Sequence, residues 1–136
     1  MPIISISMHR PDRSIVNLRD IIELLPQNSW TWNVRHFEGI GVAPQGMHMA
    51  DFDLLTASEE GYSMTWGELL EFSSNMEQVI DCVITARTSN DARPSSTQPT
   101  SALLARIEAF DSTEWIIELH GPLADNSSLA ESLARL

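Results

Sequence analysis

The sequence predicts a single α+β domain, residues 1–136, with an antiparallel or mixed sheet of about six strands, two main helices and a short C-terminal helix. A chain of 136 residues fits one domain, and its 43% hydrophobic content is that of a folded globule. Several segments alternate apolar and polar residues with the period of a half-buried strand. Two others repeat apolar residues at helical spacing.

The first predicted elements are a strand, a helix and a second strand. Residues 2–8 alternate isoleucine and methionine with serine, which predicts a half-buried strand. Ser14 is expected to cap a helix that ends at about Leu25, just before a proline. Residues 29–37 alternate again and predict the second strand.

The middle of the chain is predicted to contribute two strands and the best-marked helix. Residues 51–56 are interpreted as a strand that places its two aspartates on one face. Thr65 and Glu68 form a capping box, so a helix is expected from there to about Gln78. A further strand follows at 80–88, where the alternation returns.

The last third of the chain is predicted to be a long loop, a hairpin and a helix. Residues 88–101 are polar and contain two prolines, which predicts a mobile loop. Residues 102–110 and 114–120 are expected to pair as a hairpin. Ser128 begins a second capping box, for a helix over 129–136.

The order of elements over residues 1–87 resembles the split βαβ arrangement of ferredoxin-like folds. That resemblance concerns topology, and a shared fold does not assign a function.

Charge is distributed unevenly along the chain. There are 19 acidic residues against eight arginines and no lysine, a net charge of −11. Nine of the acids lie between Arg35 and Arg87, where there is no positive side chain. This balance argues against binding to nucleic acid or to anionic membrane surfaces, because their phosphates would be repelled. It leaves open a basic protein partner, or a solvated face that only keeps the protein soluble.

The compartment is predicted from the cysteine and from the apolar runs. Cys82 is the only cysteine, which fits a reducing compartment, and its apolar surroundings in the sequence indicate an inert buried thiol. No apolar run approaches the roughly 18 residues of a membrane helix, and the N-terminus does not resemble a secretory signal. We therefore expect a cytoplasmic protein.

No motif in the sequence indicates a cofactor or a metal, and none is predicted. His48, Asp51 and Asp53 are close in sequence, but a divalent cation needs several further ligands that the sequence does not identify. The four histidines are scattered and form no recognisable catalytic grouping with serine or cysteine.

The function predicted from these features is non-catalytic binding of a basic protein partner. Small acidic α+β domains are typical of the immunity proteins that bacteria make against their own toxins, so a toxin domain is the expected partner. Complementary charge would speed the encounter, and an aromatic side chain would anchor the complex. The predicted binding residues are Asp51, Asp53, Glu59, Glu60, Glu68 and Glu71, with Trp66 as the anchor.

Two alternative functions remain open at this point. The opening PIISISMHRPDRS, followed by a predicted helix, resembles the start of the tautomerase superfamily. That resemblance implies that Pro2 acts as a general base and that Arg10 or Arg13 binds a substrate carboxylate. The other alternative is an oligomer-forming structural or adaptor subunit, suggested by the many predicted strands and their possible sheet edges.

Overall fold

The computed structural model of the chain describes residues 2–88 and 103–136. Within these residues, six strands form one antiparallel sheet with helices packed against it, so the predicted α+β class is confirmed. Apart from Thr88, the loop predicted at 88–101 lies outside the described residues.

The sheet has the strand order β1-β6-β5-β4-β2-β3. Its strands are β1 (Ile3–Ser7), β2 (Thr31–Gly41), β3 (Tyr62–Met64), β4 (Met76–Arg87), β5 (Leu103–Phe110) and β6 (Glu114–Leu119). The helices are α1 (Leu18–Ile22), α2 (Met49–Thr56), α3 (Trp66–Ser74) and α4 (Ser127–Ala134), with short 3₁₀ turns at Pro44–Gly46 and Gly121–Leu123.

The core lies between one face of the sheet and the helices. A row of aliphatic residues crosses five neighbouring strands in register, in the order Ile4, Ile117, Ile107, Ile84 and Val34. All of them except Ile4 are buried. Burying a side chain of this size contributes about 1.5–3 kcal/mol relative to leaving it in water. This row therefore fixes the register of the sheet, because a slip of one residue would expose it.

The other face of the sheet is more polar. Arg106 lies near its centre and forms ion pairs with Glu108 at 2.9 Å and with Glu118 at 3.4 Å. The alternation read from the sequence is thus the alternation between a covered face and a more exposed one.

Helix α1 begins later than the sequence predicted. Ser14 does not cap it, because the Ser14 N–H and hydroxyl both donate to Asp12. These hydrogen bonds also hold the pKa of Asp12 below its usual value. The N-cap is Asn17, whose N–H donates to the carboxylate of Asp20. The segment between Ser14 and Asn17 is tied instead to the end of β1, where the Val16 N–H donates to the Met8 carbonyl.

The strand predicted at 51–56 is wrong, because these residues lie in helix α2. Phe52 is buried and packs against the rings of Phe37 and Phe72, at 5.3 Å and 5.2 Å between centroids. Thr56, one turn later, is also buried, and its hydroxyl accepts from the Phe37 N–H. Four-residue spacing puts both side chains on one helix face, and their contacts with β2 and α3 decide the conformation.

Three further elements differ from the prediction. Helix α3 starts where its capping box predicted but ends at Ser74, because β4 already begins at Met76. Strand β3 was not predicted; it has only three residues. Helix α4 is capped by the Asn126 side chain rather than by Ser128.

The resemblance to a split βαβ arrangement does not hold. Strands β1 and β2, which α1 connects, are separated in the sheet by β6, β5 and β4. The C-terminal hairpin of β5 and β6 thus lies between β1 and β4, and β1 forms one edge of the sheet.

Candidate partner-binding surface

The predicted binding residues come from α2, from the turn after it and from α3. The exposed members are Asp51, Glu59, Glu60, Glu68 and Glu71, whereas Asp53 and Trp66 are partly buried. No ion pair between described residues involves an acid from the segment 36–86. Within residues 2–88 and 103–136, the negative charge of this surface is therefore not neutralised by an ion pair.

Helix α3 holds two of these acids on its outward side. The Thr65 hydroxyl accepts from the Glu68 N–H at 3.2 Å, and a Glu68 carboxylate oxygen accepts from the Thr65 N–H at 2.9 Å. The helix buries Leu69 and Phe72, and this fixes which side it presents to solvent. Glu71 lies three residues after Glu68, so both carboxylates emerge on the same side.

A groove of about 380 Å³, here called the acidic groove, lies between α3 and the segment after β2. Its lining includes Val42, Pro44, Tyr62, Met64, Glu68 and Glu71. The groove therefore combines an apolar surface with two carboxylates. Lysine and arginine side chains fit such a surface, because their aliphatic stems pack on apolar groups while their charged ends reach an acid.

Glycine at position 41 allows the groove to form. Gly41 has φ +153°, and a Cβ there would lie 2.4 Å from the Asn75 carbonyl oxygen. Only glycine fits such a close approach of two backbones. The next residue, Val42, donates its N–H to that same carbonyl at 3.0 Å, and its side chain stays 59% exposed.

Helix α2 adds a second exposed surface, which sequence reasoning missed. Leu54 is 73% exposed and Leu55 is 47% exposed. Asp51 is exposed on the same helix, and Leu54 and Leu55 follow it by three and four residues, which places the three side chains on one side. Large exposed apolar side chains next to acids are typical of interaction sites. Two adjacent leucines, Leu54 and Leu55, were visible in the sequence, but interpreting the segment as a strand placed them on opposite faces.

Asp51 and Asp53 do not share a face, so the predicted pairing of the two carboxylates is wrong. In a helix, each residue is rotated by about 100° from the one before, so residues two apart point to nearly opposite sides. Asp51 is exposed, whereas Asp53 is partly buried and its Oδ1 has no hydrogen-bond partner among the described residues. Burial raises the pKa of the Asp53 carboxyl above its usual value.

Trp66 belongs to a stack of three tryptophans. Trp32 is fully buried at its centre, 5.6 Å from Trp66 and 6.0 Å from Trp30 between ring centroids. The Trp32 indole N–H donates to the Asn28 side chain. Trp66 therefore combines core packing with a partly exposed edge, which is how an anchor residue is usually held.

A second groove, of about 1030 Å³, runs past this stack and is here called the tryptophan groove. Its lining includes Arg19, Glu23, Asn28, Trp30, Trp66 and Leu70. It shares Met64 and Glu68 with the acidic groove, so the two lie on neighbouring sides of the same helix start.

The residues implied by the tautomerase resemblance lie apart. Pro2 precedes β1, and its carbonyl accepts from the Leu119 N–H. Arg10 follows the far end of β1 and is held by the Leu136 carbonyl at 3.0 Å and by Asp20 at 3.7 Å. Arg13 is exposed in the turn after that strand. A five-residue strand spans about 16 Å, and none of the three residues lines either groove.

Other reactive groups offer little chemistry. Cys82 is buried, and burial raises the pKa of its thiol to about 12, so it is protonated at neutral pH. In residues 2–88 and 103–136, no three or more His, Cys, Asp and Glu side chains are grouped as metal ligands. Nor does that part of the chain contain a helix with the length and apolar character needed to cross a membrane.

Comparison with known proteins adds no relative. The chain matches no protein-family model, and searches of curated proteins and of solved structures give no match either.

Proposed function

We propose that this chain is a non-catalytic binding protein that neutralises a basic protein partner. The observation that carries the proposal is the acidic groove, where Glu68 and Glu71 lie beside apolar surface and neither forms an ion pair with a described residue. A lysine or arginine of the partner would place its stem against Val42 and Tyr62 and its charge against the two carboxylates.

The surroundings of the groove support the same proposal. The acids of α2 and of the following turn extend the negative charge, and a net charge of −11 attracts a basic protein from a distance. Leu54 and Leu55 supply exposed apolar area of the kind that gives a complex its affinity. Charge would then set the rate and the orientation of the encounter, while burial of apolar side chains would hold the complex.

In its more specific form, the proposal is an immunity protein of a bacterial toxin system. A toxin that acts on nucleic acid needs a basic surface to hold phosphates, and an acidic protein that covers such a surface blocks substrate binding. The charge argument supports a basic protein as the partner, and the proposal names a toxin domain as that protein.

The first experiment identifies the partner. The tagged chain would be incubated with lysate of its source organism and washed with rising salt, and the retained proteins would be identified by mass spectrometry. We expect a basic protein that is released by salt, because exposed ion pairs are screened. If that partner is a toxin, an equimolar amount of the chain should abolish its activity.

Glu71→Gln tests the groove itself once the partner is purified. The Glu71 side chain makes no hydrogen bond or ion pair with any described residue, so the substitution should leave stability nearly unchanged. We expect roughly tenfold weaker binding in calorimetry, because a partly desolvated charge pair is lost.

The matched control is Glu131→Gln on α4, which packs beside β1 at the other edge of the sheet. It removes the same charge from an exposed site, where the carboxylate lies 3.8 Å from Arg135 in a solvent-screened pair, and should weaken binding by less than about twofold. Equal effects of the two substitutions, or a partner whose binding ignores salt, would contradict the proposal. So would the absence of any basic partner in the lysate.

A further inference from the structure

The tryptophan groove presents two indole rings with unused hydrogen-bond donors. Among the described residues, the indole N–H groups of Trp32 and Trp115 donate to Asn28 and to the Val16 carbonyl. In the same part of the chain, those of Trp30 and Trp66 have no acceptor, although both residues line the groove. The stack thus holds two rings rigidly at the groove and leaves their donors for a ligand.

The spacing of these rings suits a polyproline helix. Trp30 and Trp66 each stack on Trp32, so their centroids are no more than two ring spacings of 6.0 Å and 5.6 Å apart. A polyproline II helix repeats every three residues, or about 9 Å. That repeat lies within the upper limit on the ring separation, so there is room for prolines one turn apart to pack on both rings while the indole N–H groups donate to the carbonyls of the peptide. Aromatic grooves bind proline-rich segments in this way because the peptide is already extended and loses little entropy.

The charges along the groove indicate that such a peptide is basic. Glu23 and Glu68 lie at its lining, and the Glu23 side chain is 57% exposed. The one arginine there, Arg19, is already engaged by Glu23 at 3.2 Å and by the Leu70 carbonyl at 2.8 Å. It also donates to the Ser74 hydroxyl. The Glu23 carboxylate pairs with Arg19, which leaves Glu68 as the acid of this lining without an ion pair among the described residues, so a peptide with arginine or lysine beside its prolines complements it.

We propose that the tryptophan groove binds a basic, proline-rich peptide segment in the polyproline II conformation. This site adjoins the proposed neutralising surface and shares Met64 and Glu68 with the acidic groove, but Trp30 and Trp66 line only the tryptophan groove and Glu71 lines only the acidic one.

The test is a titration of the ¹⁵N-labelled full chain followed by the four indole N–H signals in NMR spectra. The probe is a synthetic peptide of eight prolines with an arginine at each end. We expect saturable shifts of the Trp30 and Trp66 signals with a Kd below about 1 mM, and smaller shifts for Trp32 and Trp115, whose donors are occupied. A peptide in which alanine and serine replace the prolines keeps the charge and should not saturate.

Two substitutions complete the test. Trp66→Phe keeps an aromatic ring and removes the donor, so binding should weaken at least about fivefold while thermal unfolding stays cooperative. Glu71→Gln should leave peptide binding unchanged, which separates this site from the acidic groove. The proposal is overturned if the indole signals do not move, if the proline-free peptide binds equally well, or if a soluble oligosaccharide shifts the same two signals instead.

Discussion

At the scale of single residues, Asp53 is the acid whose environment the fold changes most clearly. Asp53 lies in α2, and its side chain is partly buried. One carboxylate oxygen has no hydrogen-bond partner among the described residues, and burial raises the pKa of the carboxyl. A raised pKa means that the folded state binds this proton more tightly than the unfolded chain. The contribution of Asp53 to stability therefore grows as the pH falls through the raised pKa, and levels off below the ordinary value of 3.8.

We predict that Asp53→Asn stabilises the protein at pH 7 and that the gain shrinks as the pH is lowered towards 4. The side chain is only partly buried, so solvent screening keeps the gain within about 0.5 kcal/mol. Urea unfolding at a series of pH values measures it. Asp51→Asn is the matched control. Asp51 is exposed in the first turn of α2, where its negative charge interacts favourably with the helix dipole. A gain for Asp53→Asn that is independent of pH would contradict this account.

At the scale of elements, helix α3 carries the acidic groove and depends on its first turn. Thr65 and Glu68 satisfy each other's backbone N–H groups, which an isolated helix end leaves without partners. The same turn places Trp66 in the tryptophan groove and Glu68 between the two grooves. Loss of the cap is therefore expected to affect both proposed sites.

We predict that Thr65→Ala lowers the free energy of unfolding by about 1 kcal/mol, because the Glu68 N–H loses its acceptor. Chemical denaturation measures this loss. Thr65→Ser keeps the hydroxyl acceptor and should recover most of the stability. If the serine variant were as unstable as the alanine variant, the methyl group of Thr65 and not its hydrogen bond would be responsible.

At the scale of the whole molecule, stability rests on the aliphatic row that crosses the sheet. Ile107 lies at its centre, paired with Ile84 on one side and Ile117 on the other, and is fully buried. The opposite side of the edge strand β1 is different, because Ile3 alternates with Ile4 and is 58% exposed. The same side chain therefore has a different energetic role in the buried row and on the exposed side of β1.

We predict that Ile107→Ala lowers the free energy of unfolding by about 2–5 kcal/mol, since it removes buried methyl groups and leaves a cavity. Ile3→Ala, the matched control, should cost less than about 1 kcal/mol. Paired urea denaturation curves give both values. Similar losses at the two positions would mean that the sheet is not buried at its centre as described.

The fold class could be predicted from the sequence because alternation and capping are local patterns. The strands at 29–37 and 114–120 and the start of α3 at Thr65 were found within a few residues. The segment 51–56 was misread because six residues are too few to separate a period of two from one of 3.6. Three-residue β3 carried no pattern at all, and it forms because Val34 and Trp32 in β2 offer it a partner.

The candidate site divides in a similar way. The acids at 59, 60, 68 and 71 were expected at the surface, and they are exposed. Whether they bind a partner remains a prediction. The roles of Val42 and Leu54 were not predicted, because apolar residues are normally assigned to a core. Their exposure follows from contacts that the sequence does not display.

The sequence by itself determined how much charge the chain carries, where the acids concentrate and how α3 begins, since each depends on residues close together in the chain. Tertiary structure decided that 51–56 is helical, where β1 pairs and which acids share a groove. The physical reason is that these features depend on burial and close approach between distant residues. Phe52 packs on Phe37 and Phe72, and Gly41 lets the backbone pass Asn75.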